Sequence, residues 1–144
     1  MRYRRRLLLT TTAIACLALA GCSAGGSARA GAEATAAHFA RAIADGDGAR
    51  ACVLLVPDAR EAVETTTRAG CAEGVLRLGL GDRQHSTSGS TGGTTSARVY
   101  GRAAIVEQAR DTLFLARSGD TWLVRAAGCT PVDDAPYDCT LDGS

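Results

Sequence analysis

The sequence lacks lysine and asparagine, so all 16 of its basic residues are arginine. The absence of asparagine excludes N-linked glycosylation at an Asn-x-Ser/Thr acceptor. Aromatic residues make up only 4% of the chain, although hydrophobic residues make up 46%. A folded core must therefore consist mainly of Leu, Val, Ile and many alanines, which bury little area each. Covalent cross-links would help to stabilise such a core.

The amino-terminal segment has the pattern of a signal peptide. A cationic stretch at residues 1–6 precedes an uncharged apolar run at residues 7–20. That run is too short to cross about 30 Å of hydrocarbon as a permanent helix, and its flanks are typical of a secretory signal. It ends in Leu19-Ala20-Gly21-Cys22, which resembles the lipobox of bacterial lipoproteins.

The lipobox resemblance implies a lipid anchor and a location in the cell. Cys22 would carry a thioether-linked diacylglycerol and become the new amino terminus after cleavage behind Gly21. We therefore expect a signal peptide at residues 1–21, a lipidated flexible tether at 22–32 and a folded domain at 33–144. The protein would lie on the extracytoplasmic face of the cell membrane. The charge balance of the mature chain, 15 acidic residues against fewer basic ones, indicates no nucleic-acid partner.

The domain begins with helical patterns and continues with strand patterns. Apolar spacing predicts a helix over 33–45, a second over 48–56 capped by Asp47 and ended by Pro57, and a third opened by an Asp58–Glu61 capping box. A less regular helical segment follows at 68–80. Residues 81–96 are mostly Gly, Ser and Thr and predict an exposed loop.

The second half alternates apolar and polar residues. We expect a strand over 97–105 with a bulge at Gly101, and a hairpin of 112–117 with 121–127 that places Trp122 and Val124 on one face. The tail, 128–144, has no repeating pattern and predicts a loop. Helices followed by an antiparallel meander indicate the α+β class.

Four cysteines remain in the mature domain: Cys52, Cys71, Cys129 and Cys139. Outside the cytoplasm an even set implies two disulfides, for which three connectivities are possible. We predict Cys52 with Cys71, within the helical half, and Cys129 with Cys139, around the tail. The alternative is a four-thiolate metal site, but no Cys-x-x-Cys pair is present.

Several short stretches resemble small actinobacterial lipoproteins of unassigned activity. They are Ala36-x-x-Phe39, Gly46-Asp47 before Ala51-Cys52, Thr121-Trp122 leading to Gly128-Cys129, and Pro136-Tyr137-Asp138-Cys139. The resemblance implies an NTF2-like domain, in which helices pack on a curved antiparallel sheet. That fold also houses isomerase-like and cyclase-like cavity enzymes, but none of their catalytic residues can be placed on this sequence.

Two functional hypotheses follow. The first is a non-catalytic, membrane-anchored binding module that needs no cofactor. The second is an NTF2-like cavity enzyme or small-molecule-binding protein. We expect no catalytic residue, because His38 falls on a helix border and His85 in the glycine-rich loop. Arg98, Arg102, Arg117 and Arg125 are candidates for a basic face of the sheet that receives an anionic ligand or acidic partner. The alternative, which we favour, is a solvated face with surface ion pairs.

Overall fold

The structure is a computed structural model that describes residues 24–85, 95–108, 111–134 and 136–144. The described helices all precede the described strands, which confirms the predicted α+β class. The elements are α1 (Ala24–Ala44), α2 (Gly48–Val53), α3 (Pro57–Thr67), α4 (Cys71–Arg77), α5 (Leu80–His85), β1 (Ser96–Tyr100), β2 (Ala103–Gln108), β3 (Asp111–Ser118), β4 (Thr121–Thr130) and β5 (Asp138–Asp142).

The strands form one antiparallel sheet in the order β1-β2-β3-β4-β5. The predicted bulge at Gly101 is wrong, because the chain turns back there. Tyr100 pairs with Ala103, and Gly101 has a φ of 61° that suits the first position of a two-residue hairpin loop. The hairpin at Gly119 is confirmed and has the same form, with Ser118 paired to Thr121.

The hydrophobic core lies between the helices and one face of the sheet. Trp122 and Val124 both point into it, as predicted, and are 4% and 0% exposed. They alternate with Leu123 and Arg125 because successive strand residues point to opposite faces. The other large buried side chains come from both layers: Phe39, Ile43, Leu55, Val63, Val75, Leu80, Val106, Leu113, Leu115 and Leu141.

The predicted tether is wrong for residues 24–32, which form the first part of α1. The end of this segment packs on the sheet because its residues are small. A Cβ on Gly31 would lie 3.1 Å from Cδ1 of Trp122, and Ala32 is fully buried. Thr35 strengthens the contact by donating a hydrogen bond of 3.4 Å to the Trp122 carbonyl. The folded domain therefore begins before Glu33.

The second helix is capped as predicted but ends early. Asp47 accepts a hydrogen bond of 2.9 Å from the Arg50 amide. The helix stops at Val53 because the next residues pair with β4: Val124 donates to the Leu54 carbonyl, and Val56 donates to the Val124 carbonyl. Tertiary strand pairing has replaced the last predicted turn of this helix.

Pro57 starts a helix instead of only ending one. It occupies the first turn of α3, where the missing amide proton costs nothing. The expected capping box is wrong, since the residue that caps α3 is Val56 and its side chain makes no capping hydrogen bond. The expected fourth segment is divided into α4 and α5, and α5 extends into the predicted loop. The rest of that loop, residues 86–94, lies outside the described residues.

The tail was predicted as an irregular loop, and this prediction is wrong at both ends. β4 continues to Thr130, and β5 adds an edge strand beside it. Leu141 on β5 is 2% exposed and belongs to the core. A single apolar residue among aspartates has no detectable period, so only the pairing with β4 reveals this strand.

Both disulfides have the predicted partners. Cys52–Cys71 joins α2 to α4, and Cys129–Cys139 joins two residues that face each other across β4 and β5. No helix within the described ranges is long and apolar enough to cross a membrane.

Candidate functional site

The face of the sheet that points away from the helices is the candidate binding surface, and we call it the outer face. Register places Arg98, Ile105 and Phe114 side by side on it across three strands. Tyr100 lies on the same side because it is two residues from Arg98 on β1. Arg125 also lies there because it follows Val124, which faces the core on β4. Tyr100 is 59% exposed. The outer face thus combines aromatic, aliphatic and guanidinium groups.

An aromatic pair forms the centre of the outer face. The rings of Phe114 and Tyr137 lie 4.9 Å apart with an interplanar angle of 77°, an edge-to-face arrangement. Phe114 is held by β3, whereas Tyr137 precedes β5. The Cys129–Cys139 bridge fixes that segment to β4 close to Tyr137. The tail therefore contributes part of the surface.

Two adjoining open grooves cross the outer face. The first has a volume of about 410 Å³ and includes Tyr100, Arg102, Ile105, Phe114 and Arg125 in its lining. The second, of about 370 Å³, shares Ile105, Phe114 and Arg125 with the first and adds Tyr137 and Asp142. Both volumes are in the lower range of small-ligand sites. Together they form one shallow path along the outer face.

The arginines of the outer face differ in their partners. Arg98 forms a salt bridge of 2.8 Å with Glu107. Arg102 donates a hydrogen bond of 2.7 Å to the Arg117 carbonyl. The guanidinium of Arg125 has no hydrogen bond or salt bridge to any described residue, so its charge is available to a ligand. Both charged residues that line the first groove are arginines.

The predicted basic face is wrong for Arg117. This residue pairs with Trp122 in the register of β3 and β4, so it points to the helix-covered side. There it lies near Ser27 and Ala28 of α1 and forms an ion pair of 3.3 Å with Asp120. Its Nε atom is buried without a hydrogen-bond partner. Arg117 therefore lies on the opposite face of the sheet from Arg125.

Comparisons with protein families, characterised proteins and solved structures find no match to this chain. Cys22 and the expected signal peptide lie outside the described residues. His38 is exposed on α1, and the side chain of His85 is not among those described. The described part of the chain has no group of three His, Cys, Asp or Glu residues placed to hold a metal ion.

Sequence reasoning missed Ile105 and Phe114 as surface groups. It treated 97–105 as one strand, which puts Ile105 in phase with Ala97. The hairpin at Gly101 shifts that phase, so Ala104 and Val106 face the core and Ile105 faces outward. A two-residue glycine loop between alternating segments is the signal that predicts this shift.

Proposed function

We propose that this protein is a bacterial lipoprotein held on the extracytoplasmic face of the cell membrane by lipid on Cys22. The sequence Leu19-Ala20-Gly21-Cys22 at the end of a short apolar run carries this proposal. The two disulfides support it, because such bridges persist in oxidising compartments. Two acyl chains, each stabilised by about 0.8 kcal/mol per buried CH₂, would hold the protein stably on the bilayer.

Replacing Cys22 by Ser should abolish the anchor. We expect the variant to lose both the lipid and the cleavage after Gly21, because serine has no thiol to accept the diacylglycerol, and therefore to keep the apolar run at residues 7–20. Cys16→Ser is the matched control and should behave as the parent, since Cys16 lies within the expected signal peptide. For each variant, cell fractionation measures the membrane association, and mass spectrometry of the amino-terminal peptide measures cleavage and lipidation. A Cys22→Ser protein that is cleaved and partitions like the parent would contradict the proposal.

We further propose that the domain is a binding module, and that its outer face takes a small organic anion with an apolar part. The unpaired guanidinium of Arg125 beside Ile105 and Phe114 carries this proposal. Arginine offers up to five N–H donors in a fork that matches a carboxylate or phosphate. The adjacent rings and aliphatic groups supply apolar surface. A ligand of this class can therefore satisfy both kinds of group together.

The packing between helices and sheet favours binding on the outer face over chemistry in an NTF2-like cavity. Helices packed on one face of an antiparallel sheet are what an NTF2-like domain would require. In such an enzyme the space beneath the helices would hold the catalytic groups. Here that space contains buried apolar side chains, among them Phe39, Leu55 and Leu115. The binding module therefore remains the better-supported proposal.

Two probes with ten-carbon chains and opposite charges test the outer face. Decanoate should bind more tightly than decyltrimethylammonium, and should shift the aromatic resonances of Phe114 and Tyr137 in an NMR titration below the micelle concentration. Arg125→Gln should weaken decanoate binding on the order of fivefold, the scale of one exposed ion pair. The cationic probe should bind the variant no more weakly than the parent, because Arg125→Gln removes a like charge.

Arg98→Gln is the matched control for this titration. It removes a charge from the same face, but one already paired with Glu107, so decanoate affinity should stay near that of the parent. Equal affinity for both probes, or equal losses in the two variants, would show that Arg125 does not select an anion.

A further inference from the structure

The topology gives the sheet two chemically different ends. In an antiparallel meander successive turns alternate between the ends of the sheet. The turn at Gly101-Arg102 and the turn at Gly119-Asp120 therefore lie together, and Arg117 donates its amide proton to the Arg102 carbonyl between them. We call this the turn end. The β2–β3 and β4–β5 connections lie at the opposite, distal end.

Basic groups lie at the turn end and acidic groups at the distal end. The turn end has Arg102 and Arg117, of which Arg117 is paired with Asp120. The distal end has four aspartates, one at the start of β3 and three around the β4–β5 connection. In the sequence, one basic residue, Arg110, stands between β2 and β3. The four aspartates are Asp111, Asp133, Asp134 and Asp138. The two ends of the sheet therefore differ in charge.

The amino-terminal part of α1 also lies at the turn end. Ser27, Ala28 and Gly31 border one pocket together with Arg117 and Asp120. Arg29, which is exposed, adds another basic group to this end. Cys22 precedes Ala28 by six positions in the sequence, a span of about 20 Å even if fully extended. Lipid on Cys22 would therefore lie close to the turn end.

We infer that the domain stands on the bilayer with its turn end against anionic lipid headgroups. This inference rests on the proposed lipid anchor and adds an orientation to it. An anionic surface attracts each nearby Arg and repels the aspartates of the distal end, so both terms favour the same orientation. Tyr100, exposed at the end of β1, provides an aromatic group suited to the headgroup region.

This orientation brings the binding surface close to the membrane. The first groove of the outer face starts at Tyr100 and Arg102, at the turn end, and extends towards Arg125. A ligand that leaves the bilayer could enter the groove beside the headgroups. The distal aspartates would point away from the membrane.

Photo-crosslinking of the intact lipidated protein in vesicles tests the orientation. A benzophenone amino acid replaces Ser118, at the turn end, or Val132, which is 43% exposed at the distal end. In phosphatidylglycerol vesicles we expect lipid adducts at position 118 to exceed those at 132 by at least tenfold. Equal adducts at the two positions, or more at 132, would overturn the inference.

Charge variants test whether the basic groups cause the preference. Arg29→Gln and Arg102→Gln should each lower the adduct ratio on the order of fivefold, the effect of about 1 kcal/mol per arginine at an anionic surface. Arg41→Gln is the matched control, because it removes an exposed arginine from the last turn of the same helix. Phosphatidylcholine vesicles and high salt should also reduce the ratio.

Mass spectrometry of the Cys22 peptide separates the two possible failures. If Cys22 carries lipid but the adducts show no preference for position 118, the orientation is wrong and the anchor proposal stands. If Cys22 carries no lipid, both proposals are wrong.

Discussion

Replacing both Cys52 and Cys71 by serine is expected to lower the free energy of unfolding by about 3 kcal/mol. The bridge closes a loop with a sequence separation of 19 and joins α2 to α4. Without it the unfolded chain gains conformational freedom, while the small-residue core has little apolar area to offset the loss. This is a large part of the roughly 5–15 kcal/mol by which domains are stable. Urea unfolding followed by circular dichroism measures the change.

The double variant Cys129→Ser with Cys139→Ser is the matched control. Its sequence separation is 10, so the same loop-closure model predicts a loss only about half a kcal/mol smaller. The region that unfolds locally should differ between the two variants, because this bridge joins the edge strand β5 to β4. We expect faster proteolysis in the β4–β5 connection of this variant alone. Equal stability of the Cys52/Cys71 variant and the parent would contradict the expected role of the first bridge.

Gly48→Ala should destabilise the domain by about 3 kcal/mol, the upper part of the usual range for overpacking. A Cβ at this first residue of α2 would lie 1.8 Å from the carbonyl oxygen of Ala72. That atom belongs to the backbone of α4 and follows Cys71, which is bonded to Cys52. The two helices therefore have little freedom to move apart. Thermal and urea unfolding of the purified variant measure the loss.

Gly26→Ala is the control for Gly48→Ala. Gly26 lies in α1, and a Cβ there would meet nothing within 4 Å. Alanine should stabilise this helical position by about 1 kcal/mol, because glycine loses more backbone entropy on entering a helix. If Gly48→Ala lowers the free energy of unfolding and Gly26→Ala raises it, then close contact with α4, and not helix propensity, is the reason for glycine at position 48. A neutral Gly48→Ala would contradict the packing of α2 on α4.

Features that depend on neighbours in sequence were predicted well. The alternating pattern around Trp122 and Val124 placed both in the core, and Gly119 marked the hairpin between β3 and β4. The capping of α2 by Asp47 was also predicted, because a cap acts over only three residues. The disulfide pairs followed from the order of the cysteines along helices and tail.

Features that depend on distant contacts were not predicted. Residues 24–32 have the composition of a flexible linker, yet Gly31 and Ala32 enter the core contact of α1 because Trp122 lies opposite them. The tail has no strand pattern, yet β4 offers it an edge for backbone pairing, and Leu141 fills the core. In each case the partner is far away in sequence.

The sequence by itself was enough to predict the α+β class and the disulfide pairs, and a short motif carries the proposal of lipid attachment at Cys22. Only the tertiary structure decided which side chains share the outer face. The hairpin at Gly101 brings Ile105 beside Arg98, and register separates Arg117 from Arg125. Side-chain phase changes at every turn of a sheet, so a surface assembled from several strands is visible only when their register is known.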